Sequence, residues 1–343
     1  MSSSTAIYLV KTELEALASE IIAKQFEHDS LNLLIYNKKA EPHLINPLAF
    51  QSRLASSYAQ GKGILAEKKS IYKNLKDLST ELRRLNPKPT YIYIHLPRLS
   101  TSKTNYCVNY LRREFPQSTL RVRLIPHGLV SVDLIPLTFF KRLKLLRKKL
   151  HPANLLFPSL SYYAPKGDLI GGLDEIVDRI YTFKGLSTPY PTQKVVELSG
   201  LRSYIQSTPK ARTTRSAVII GQPLLKNGSI SESAHAVVRR QIHDWLKNNS
   251  FQTIYYSRHP RSGETLDFFE EDYQLLEQNG PVEIALCDIQ PEVVISCYST
   301  ALATAKVLFG DEIRAISFGL ALTQSDKKSG LSKYFESMGI ELR

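Results

Sequence analysis

The clearest sign of the fold lies in residues 253–306, TIYYSRHPRSGETLDFFEEDYQLLEQNGPVEIALCDIQPEVVISCYSTALATAK. This segment alternates short runs of β-branched and aromatic residues with segments that favour helix, which is typical of a parallel α/β sheet. Strands are predicted at residues 253–256 and 292–296, and a polar motif follows each of them. Because ligands bind at the carboxyl ends of strands in open α/β sheets, we expect both motifs to contact one ligand.

Both motifs consist of groups that bind phosphate. The first, Ser257-Arg258-His259-Pro260-Arg261, places a histidine between two arginines just past a predicted strand. The second, Ser299-Thr300, precedes an alanine-rich helix, where hydroxyl groups cap free backbone N–H groups and the helix end attracts anions. Alone, a His-Pro pair is more often a turn and a Ser-Thr pair is more often a cap. Their occurrence at two strand ends of one sheet favours an anion-binding site.

Four motifs in this order resemble those of the bacterial GT-B sialyltransferases, in particular the lipooligosaccharide sialyltransferases and their polysialyltransferase relatives. They are Gly221-Gln222-Pro223-Leu224, Tyr255-Tyr256-Ser257-Arg258-His259-Pro260-Arg261, Val282-Glu283-Ile284 and Ser299-Thr300-Ala301-Leu302. The resemblance implies an α/β fold of the GT-B class, with two Rossmann-like domains facing a central cleft. It also implies that the His-Pro and Ser-Thr motifs hold the CMP of a CMP-sialic acid donor.

These motifs supply the predicted donor-binding residues. In full they are Gly221, Gln222, Arg258, His259, Pro260, Arg261, Glu283, Ser299 and Thr300. In a CMP-activated sugar the leaving group is a phosphate, so hydrogen-bond donors placed at its oxygens lower the barrier to transfer. We expect such hydrogen bonds from His259, Ser299 and Thr300, and a positive charge from a flanking arginine. The resemblance implies that Glu283 accepts hydrogen bonds from the ribose hydroxyls.

The general base is where this chain departs from the family. Sialyltransferases of this group have two acidic residues and a glycine after an early strand, and these supply the base. Here residues 119–129 read TLRVRLIPHGL, so His127 would occupy the position of the catalytic aspartate. An imidazole can take a proton from a sugar hydroxyl near neutral pH. Asp133 is the alternative base, and the substitution leaves open whether the sugar configuration is inverted or retained.

The length and the charge of the chain indicate two domains and an anionic partner. The 343 residues suffice for an acceptor-binding domain with the catalytic base at residues 1–200 and a CMP-donor-binding domain at residues 201–343. Lys and Arg number 45 against 32 Asp and Glu, a net charge of +13. Such a charge suits nucleic acid, an anionic membrane or anionic substrates. No nucleic-acid-binding motif accompanies it, so nucleic acid is not an expected partner.

The densest basic run is residues 141–150, KRLKLLRKKL, in which Leu143, Leu146 and Leu150 follow helical spacing. A basic amphipathic helix of this kind is suited to peripheral contact with an anionic membrane. The alternative is a solvated helix whose leucines pack against the protein. We find no signal peptide and no apolar run of about eighteen residues, so we expect a cytoplasmic protein, peripheral on the inner face of the cytoplasmic membrane under the first interpretation.

No cofactor or metal is expected beyond the donor substrate itself. The three cysteines, Cys107, Cys287 and Cys297, are an odd number without CxxC spacing and support neither a disulfide framework nor a zinc site. Cys297 is expected to be a small buried apolar residue. No Asp-x-Asp pair is present to hold a divalent ion beside a nucleotide diphosphate, so a metal-independent reaction is predicted.

The remaining pattern completes the predicted alternation of strands and helices. Strands are predicted within residues 6–10 and at 31–36, 90–95, 180–183, 217–220 and 282–286, and helices within 11–26 and 52–86 and at 233–247 and 265–278. Ser229 or Ser231 is the predicted cap of the helix at 233–247.

The predicted activity is the transfer of sialic acid, or of a related nonulosonic acid such as legionaminic or pseudaminic acid, from its CMP donor. The predicted acceptor is a hydroxyl group of a bacterial surface glycan, either lipooligosaccharide or capsule. One alternative is a GT-B enzyme that uses another nucleotide-sugar donor. The other is a non-enzymatic basic protein that binds nucleic acid or membrane.

Overall fold

Two compact units make up the chain in the computed structural model. The structure describes residues 3–57, 63–127, 134, 136–186, 188–206, 215–259, 266–277, 280–324 and 328–343. The first unit comprises Met1–Thr182 and Thr188–Leu198, and the second comprises Phe183–Ser187 and Ser199–Arg343. Each unit has its own parallel sheet and its own apolar core, so the predicted α/β fold with two Rossmann-like domains is confirmed.

The first unit is built on a seven-stranded sheet of strand order β3-β2-β1-β4-β5-β6-β7. In chain order its elements are β1 (Ser4–Leu9), α1 (Glu13–Phe26), β2 (Leu31–Asn37), β3 (Ser52–Ser56), α2 (Ile64–Arg84), β4 (Tyr91–Leu96), α3 (Ser102–Glu114), β5 (Thr119–Leu124), α4 (Phe139–Lys149), β6 (Val177–Phe183) and β7 (Val195–Leu198). The described pairings from β3 to β6 are all parallel.

The central strand of this unit shows how the sequence specifies the sheet. β1 pairs in parallel with β2 on one side and with β4 on the other, and five of its six residues are buried. A strand covered on both faces needs a continuous apolar run, which is the pattern of Ala6–Leu9. The chain then turns at Thr12, whose hydroxyl accepts the N–H of Glu15 at 3.3 Å and caps α1. The first turn of α1 therefore lies at the carboxyl edge of the sheet.

The second unit repeats this plan with a six-stranded sheet. In chain order its elements are α5 (Leu201–Ile205), β8 (Ser216–Ile220), α6 (Glu232–Asn248), β9 (Thr253–Ser257), β10 (Gln274–Leu275), α7 (Val282–Ile289), β11 (Val293–Ser296), α8 (Thr300–Phe309), β12 (Arg314–Ser317), α9 (Lys328–Ser337) and β13 (Glu341–Leu342). The order is β10-β9-β8-β11-β12-β13, and every pairing is parallel. The order reverses between β8 and β11, and at such a switch point Rossmann-like sheets bind their ligands.

Three predicted elements are wrong. The start of the predicted helical segment 52–86 is a strand, because β3 pairs with β2 along the sheet edge. Residues 266–277 form turns and β10 instead of a helix, since Phe268 has a φ of +70° and packs with Tyr273 into the core. The predicted strand 282–286 belongs to α7, whose buried residues Glu283, Leu286 and Cys287 share one helical face.

Other local predictions are confirmed. α6 is capped by Ser231, whose hydroxyl accepts the N–H of Ala234 at 3.2 Å. All three cysteines are free and buried, and burial raises the pKa of each thiol to about 12, so they remain neutral apolar side chains. Among the described residues, no helix is both long enough and apolar enough to cross a membrane.

Candidate functional site

The switch point of the second unit joins two of the predicted motifs. β8 ends at Ile220 and is followed by the Gly-Gln motif, and the neighbouring β11 ends at Ser296. The side-chain oxygen of Gln222 accepts a hydrogen bond from the Ser296 hydroxyl at 3.0 Å and from the Tyr298 N–H at 2.8 Å. A single buried amide thus connects the two strand ends and fixes the turn that leads to Ser299.

Gly221 allows a close approach of the chain at this edge. Its N–H donates to the Ser257 carbonyl at 2.9 Å, and a Cβ atom built on it would clash with the hydroxyl of Tyr256. Tyr256 is fully buried and donates its own hydroxyl to the Asp267 carbonyl at 2.8 Å, so its ring is held in place. A glycine is therefore required where β8 leaves the sheet.

The Ser-Thr motif starts α8 as predicted. Ser299 is the N-cap residue, its hydroxyl accepts the N–H of Ala301 at 3.2 Å, and Thr300 is the first helical residue. Both side chains are half-buried. The first N–H groups of an α-helix and its dipole give this end a partial positive charge, which attracts anions. The N-terminus of α8 thus lies beside Gln222 at the carboxyl edge of the sheet.

The His-Pro motif follows β9, the strand beside β8. Arg258 is exposed and His259 is half-buried, and both lie at the same sheet edge as Gly221. Pro260 and Arg261 lie outside the described residues. The adjacent strands β9, β8 and β11 therefore bring three of the predicted motifs to one edge.

Glu283 lies deeper than the other predicted residues. It is in the first turn of α7, its side chain is 3% exposed, and its carboxylate accepts the Thr304 hydroxyl of α8 at 2.7 Å. Burial raises the pKa of this carboxyl group, and the Thr304 hydrogen bond opposes the rise. The structure thus joins Glu283 to the helix that Ser299 caps. Contact with a ribose stays a prediction.

Sequence reasoning missed a second buried carboxylate beside the Gly-Gln motif. Asp267 accepts the N–H of Leu224 at 2.7 Å and lies 3.4 Å from Nε2 of His235. His235 stacks on Phe268, and burial lowers the pKa of its imidazole. The pair holds the loop that follows β8. No spacing in the sequence indicates this pair, because His235 lies in α6 and Asp267 in a turn after β9, and only the fold brings the two together.

In the first unit, His127 contacts a carboxylate that the sequence did not indicate. His127 follows β5, and its Nδ1 atom forms an ion-pair contact with Oε1 of Glu15 in the first turn of α1. Glu15 is fully buried, and its other oxygen accepts the N–H of Lys11 at 2.6 Å. The His127 side chain is 22% exposed. A carboxylate that holds one imidazole nitrogen fixes the tautomer and the orientation of the ring.

For the alternative base and for a metal site, the structure describes only part of the relevant chain. Asp133 and Gly128 lie outside the described residues, so the choice between His127 and Asp133 stays a prediction. Within the part of the chain that the structure describes, no group of three or more His, Cys, Asp or Glu side chains is arranged to hold a metal ion.

A family model named alpha-2,8-polysialyltransferase (POLYST) matches residues 134–314, which is more than half of the chain. The chain belongs to this polysialyltransferase family. The match covers the Gly-Gln, His-Pro and Ser-Thr motifs at the β9-β8-β11 edge and begins after His127. The predicted resemblance to bacterial sialyltransferases of the polysialyltransferase group is thereby confirmed, and the chain is a member of a glycosyltransferase family.

Solved structures resemble this polysialyltransferase family member in fold. A putative UDP-N-acetylglucosamine 2-epimerase from Listeria monocytogenes has a TM-score of 0.52 at 10% identity, over 99% of this chain and 90% of that chain. The glycosyltransferase SnogD from Streptomyces nogalater has a TM-score of 0.45 at 11% identity, over 100% and 97%. No curated protein sequence matches the chain. The two Rossmann-like α/β units, each built on its own sheet, are those that the predicted GT-B fold class requires.

Proposed function

We propose that this chain transfers sialic acid, or a related nonulosonic acid such as legionaminic or pseudaminic acid, from a CMP donor to a hydroxyl group of a bacterial surface glycan. The acceptor that we propose is a lipooligosaccharide or a capsular glycan. The observation that carries the proposal is the convergence of the Gly-Gln, His-Pro and Ser-Thr motifs at one switch-point edge, with Gln222 hydrogen-bonded to the strand end that leads into Ser299.

The second unit would stabilise the leaving phosphate. As the bond between the anomeric carbon and the phosphate oxygen breaks, its electron pair passes to that oxygen and the sugar becomes cationic. Hydrogen-bond donors already in place then stabilise the charge without reorganisation. We assign this role to the hydroxyls of Ser299 and Thr300, the N-terminus of α8 and the imidazole of His259, with a positive charge from Arg258 or Arg261.

The first unit would supply the base. The acceptor oxygen forms the new bond to the anomeric carbon and gives its proton to His127. With Glu15 held at Nδ1, the tautomer that donates to the carboxylate leaves Nε2 as the basic nitrogen. Asp133 remains the alternative base in this proposal.

The proposed reaction needs no metal ion, because α8 and the arginines of the His-Pro motif supply positive charge to the phosphate. Glu283 is hydrogen-bonded to Thr304 and would have to leave it to accept a ribose hydroxyl. We therefore propose that Glu283 acts on the donor mainly by holding α7 against α8.

The test is thermal stabilisation of the purified chain by CMP, UDP, GDP and an RNA oligomer, each in EDTA. A ligand that binds only the folded state raises its stability by mass action. We expect a shift with CMP alone, after which CMP-activated nonulosonic acids are tested for transfer. A larger shift with UDP or GDP would assign another nucleotide-sugar donor to the same fold, and a shift with RNA alone would reject both donor assignments.

A further inference from the structure

The apolar stripe of α4 faces away from the protein. Phe139, Leu143, Leu146 and Leu150 are spaced so that they share one face of the helix and its C-cap, and all four are exposed, Phe139 by 75% and Leu150 by 77%. In a globular protein such a stripe normally faces the core. Leu145 is the only buried residue within α4. The interpretation that the leucines pack the helix against the protein is therefore wrong.

Another exposed aromatic side chain adjoins this face. Phe140 is 79% exposed and packs edge-on against Phe139, with ring centroids 5.9 Å apart. Leu155 and Leu156, shortly after the helix, are also exposed. We call Phe139, Phe140, Leu143, Leu146 and Leu150 the outer α4 surface. Contiguous exposed apolar surface of this kind marks an interaction site more often than isolated exposed residues do.

The same helix is strongly basic. The cationic residues of α4 are Lys141, Arg142, Lys144, Arg147, Lys148 and Lys149, and the helix has no acidic residue. Lys148 is held by the protein, since its ammonium lies 5.4 Å from the centre of the Tyr162 ring. Lys144 and Arg147 are exposed beside the outer α4 surface. An apolar face flanked by lysine and arginine is the arrangement with which interfacial helices bind anionic bilayers.

A basic cavity adjoins this surface. It has a volume of about 730 Å³ and is lined by α4 residues that include Leu146, which also belongs to the outer α4 surface. Its cationic lining residues are Arg112, Arg121, Arg142, Lys149 and Lys166, against the single acidic residue Glu175. Arg121 is in the first half of β5 and Glu175 precedes β6, so the cavity lies towards the amino ends of the strands, opposite the edge that carries His127.

We propose that the outer α4 surface lies on an anionic lipid bilayer, with the phosphate headgroup of one lipid in the adjoining cavity. A soluble polyanion would account for the cations but not for the exposed phenylalanines. A second copy of the chain would bring together two helices that each carry six positive charges and no negative charge. A bilayer accounts for both the apolar stripe and the charge.

The experiment is flotation of the full chain with vesicles of phosphatidylcholine alone and with vesicles that contain about one quarter phosphatidylglycerol. We expect binding to the anionic vesicles, at least tenfold weaker binding to the neutral ones, and release at high salt, because exposed charges are screened. Equal binding to both kinds of vesicle, or binding to neither, would overturn the proposal.

Two variants separate the apolar and the ionic contributions. Phe139→Ser with Leu143→Ser should lower vesicle affinity by about tenfold or more, since two large side chains no longer enter the bilayer. Lys144→Glu with Arg147→Glu should lower it by at least tenfold, as each basic residue near the surface contributes about fivefold. The second variant changes only exposed charges and should fold normally.

The matched controls are exposed residues on other elements of the same unit. Leu48→Ser removes an apolar side chain that is 89% exposed, and Lys38→Glu with Lys39→Glu reverses two exposed charges after β2, at the sheet edge opposite the cavity. Each control should bind anionic vesicles within about twofold of the natural chain, because these charges lie away from the bilayer. If the controls lose as much vesicle affinity as the α4 variants, binding depends on the net charge of the chain and not on the outer α4 surface.

A separate variant tests whether the cavity binds a lipid headgroup. Arg112→Ala with Arg121→Ala should reduce the preference for anionic over neutral vesicles by about fivefold or more while residual binding to neutral vesicles is unchanged. An excess of inorganic phosphate should not release the bound chain, whereas a free-phosphate site would show competition. If this variant keeps the full preference for anionic over neutral vesicles, the cavity does not bind the lipid headgroup. If the chain binds soluble sialic acid oligomers and Phe139→Ser leaves that binding intact, the partner is a soluble polyanion and not a bilayer. If the chain forms a dimer that Phe139→Ser dissociates, the partner is a second copy of the chain.

Discussion

The carboxyl edges of the two sheets carry different chemistry on the same topology. In both units the strand order reverses beside the first strand, whose carboxyl end leads towards a helix. The connection is a short turn between β1 and α1 and a longer loop between β8 and α6. In the first unit the first turn of α1 brings the buried carboxylate of Glu15 to this edge. In the second unit the turns after β8 and β11 bring the amide of Gln222 and the hydroxyls of Ser299 and Thr300. The buried carboxylate of that unit's edge, Asp267, accepts the N–H of Leu224 and lies 3.4 Å from His235.

The difference separates proton transfer from anion binding. A buried carboxylate can hold and polarise an imidazole, which is the role that we propose for Glu15 beside His127, but it repels a phosphate. Neutral hydrogen-bond donors at a helix N-terminus bind a phosphate but are poor proton acceptors. Under the proposed function each edge serves one half of a glycosyl transfer, so substitutions at one edge should leave the function of the other intact.

The largest expected effect comes from His127→Ala. Turnover should fall by about 10²- to 10⁴-fold, because the proton of the acceptor hydroxyl loses its base, while stabilisation by CMP should be unchanged. Transfer kinetics and thermal shifts measure the two properties separately. His28→Ala, which removes a surface imidazole, is the matched control and should change neither. Normal turnover in His127→Ala together with a loss in Asp133→Ala would move the base to Asp133.

The variant Glu15→Gln tests whether Glu15 acts through His127. It keeps the size of the side chain but removes the charge that orients His127, so turnover should fall less than in His127→Ala. In the His127→Ala background, Glu15→Gln should have no further effect on turnover, since a positioning residue acts only through its partner. An additional loss in the double variant would show that Glu15 acts on the substrate by itself.

At the other edge, Ser299→Ala and Thr300→Ala should weaken CMP binding by about tenfold to a hundredfold, because a charged phosphate loses a hydrogen bond. Ser299→Ala should also lower the free energy of unfolding by about 1 kcal/mol through loss of the cap. Ser231→Ala is the control, since Ser231 caps α6 in the same unit. It should show the stability loss without the loss of CMP affinity, and equal losses of affinity in both cap variants would refute a phosphate site at α8.

What the sequence predicted well depends on local signals. The strand at 253–257 has a β-branched and aromatic run, and the caps at Ser231 and Ser299 require only the residues of the turn they begin. Parallel topology then places the carboxyl ends of β8, β9 and β11 at one edge whatever the loops contain. The convergence of three motifs could therefore be predicted from periodicity and the resemblance alone.

What it missed depends on tertiary contacts. Glu15 and His127 are separated by most of the first unit, and only the order of strands in the folded sheet brings them together. The segment Val282-Glu283-Ile284 has β-branched residues and was predicted as a strand, yet the burial of its apolar face against α8 makes it a helix. The exposure of the apolar stripe of α4 could likewise not be predicted, because an amphipathic pattern does not show whether the apolar face packs against the protein or faces away from it.

A smaller effect, on stability, is expected from Gly221→Ala. The added methyl group meets the Tyr256 hydroxyl, so the second unit should lose about 1 to 3 kcal/mol of unfolding free energy. Because Tyr256→Phe removes the hydroxyl, the double variant should lose less than the sum of the two single variants in a denaturant titration. Additive losses would mean that the close approach at this edge does not require glycine. Neither variant should alter the first unit.

The smallest expected effect is a pH dependence confined to the first unit. Burial raises the pKa of Glu20 from its ordinary 4.5 to about 7, although the N–H groups of Ile45 and Asn46 bond its carboxylate. Between these two values the folded state holds a proton that the unfolded state has lost, so stability falls as the pH rises, with a slope of at most about 1.4 kcal/mol per pH unit. Glu20→Gln should flatten this slope in urea titrations from pH 5 to about 7, whereas Ser299→Ala, which removes a group that does not titrate, should leave it unchanged. A slope that Glu20→Gln leaves intact would show that the buried carboxylate of α1 is not the group that titrates, and would remove this pH dependence from the differences between the two units.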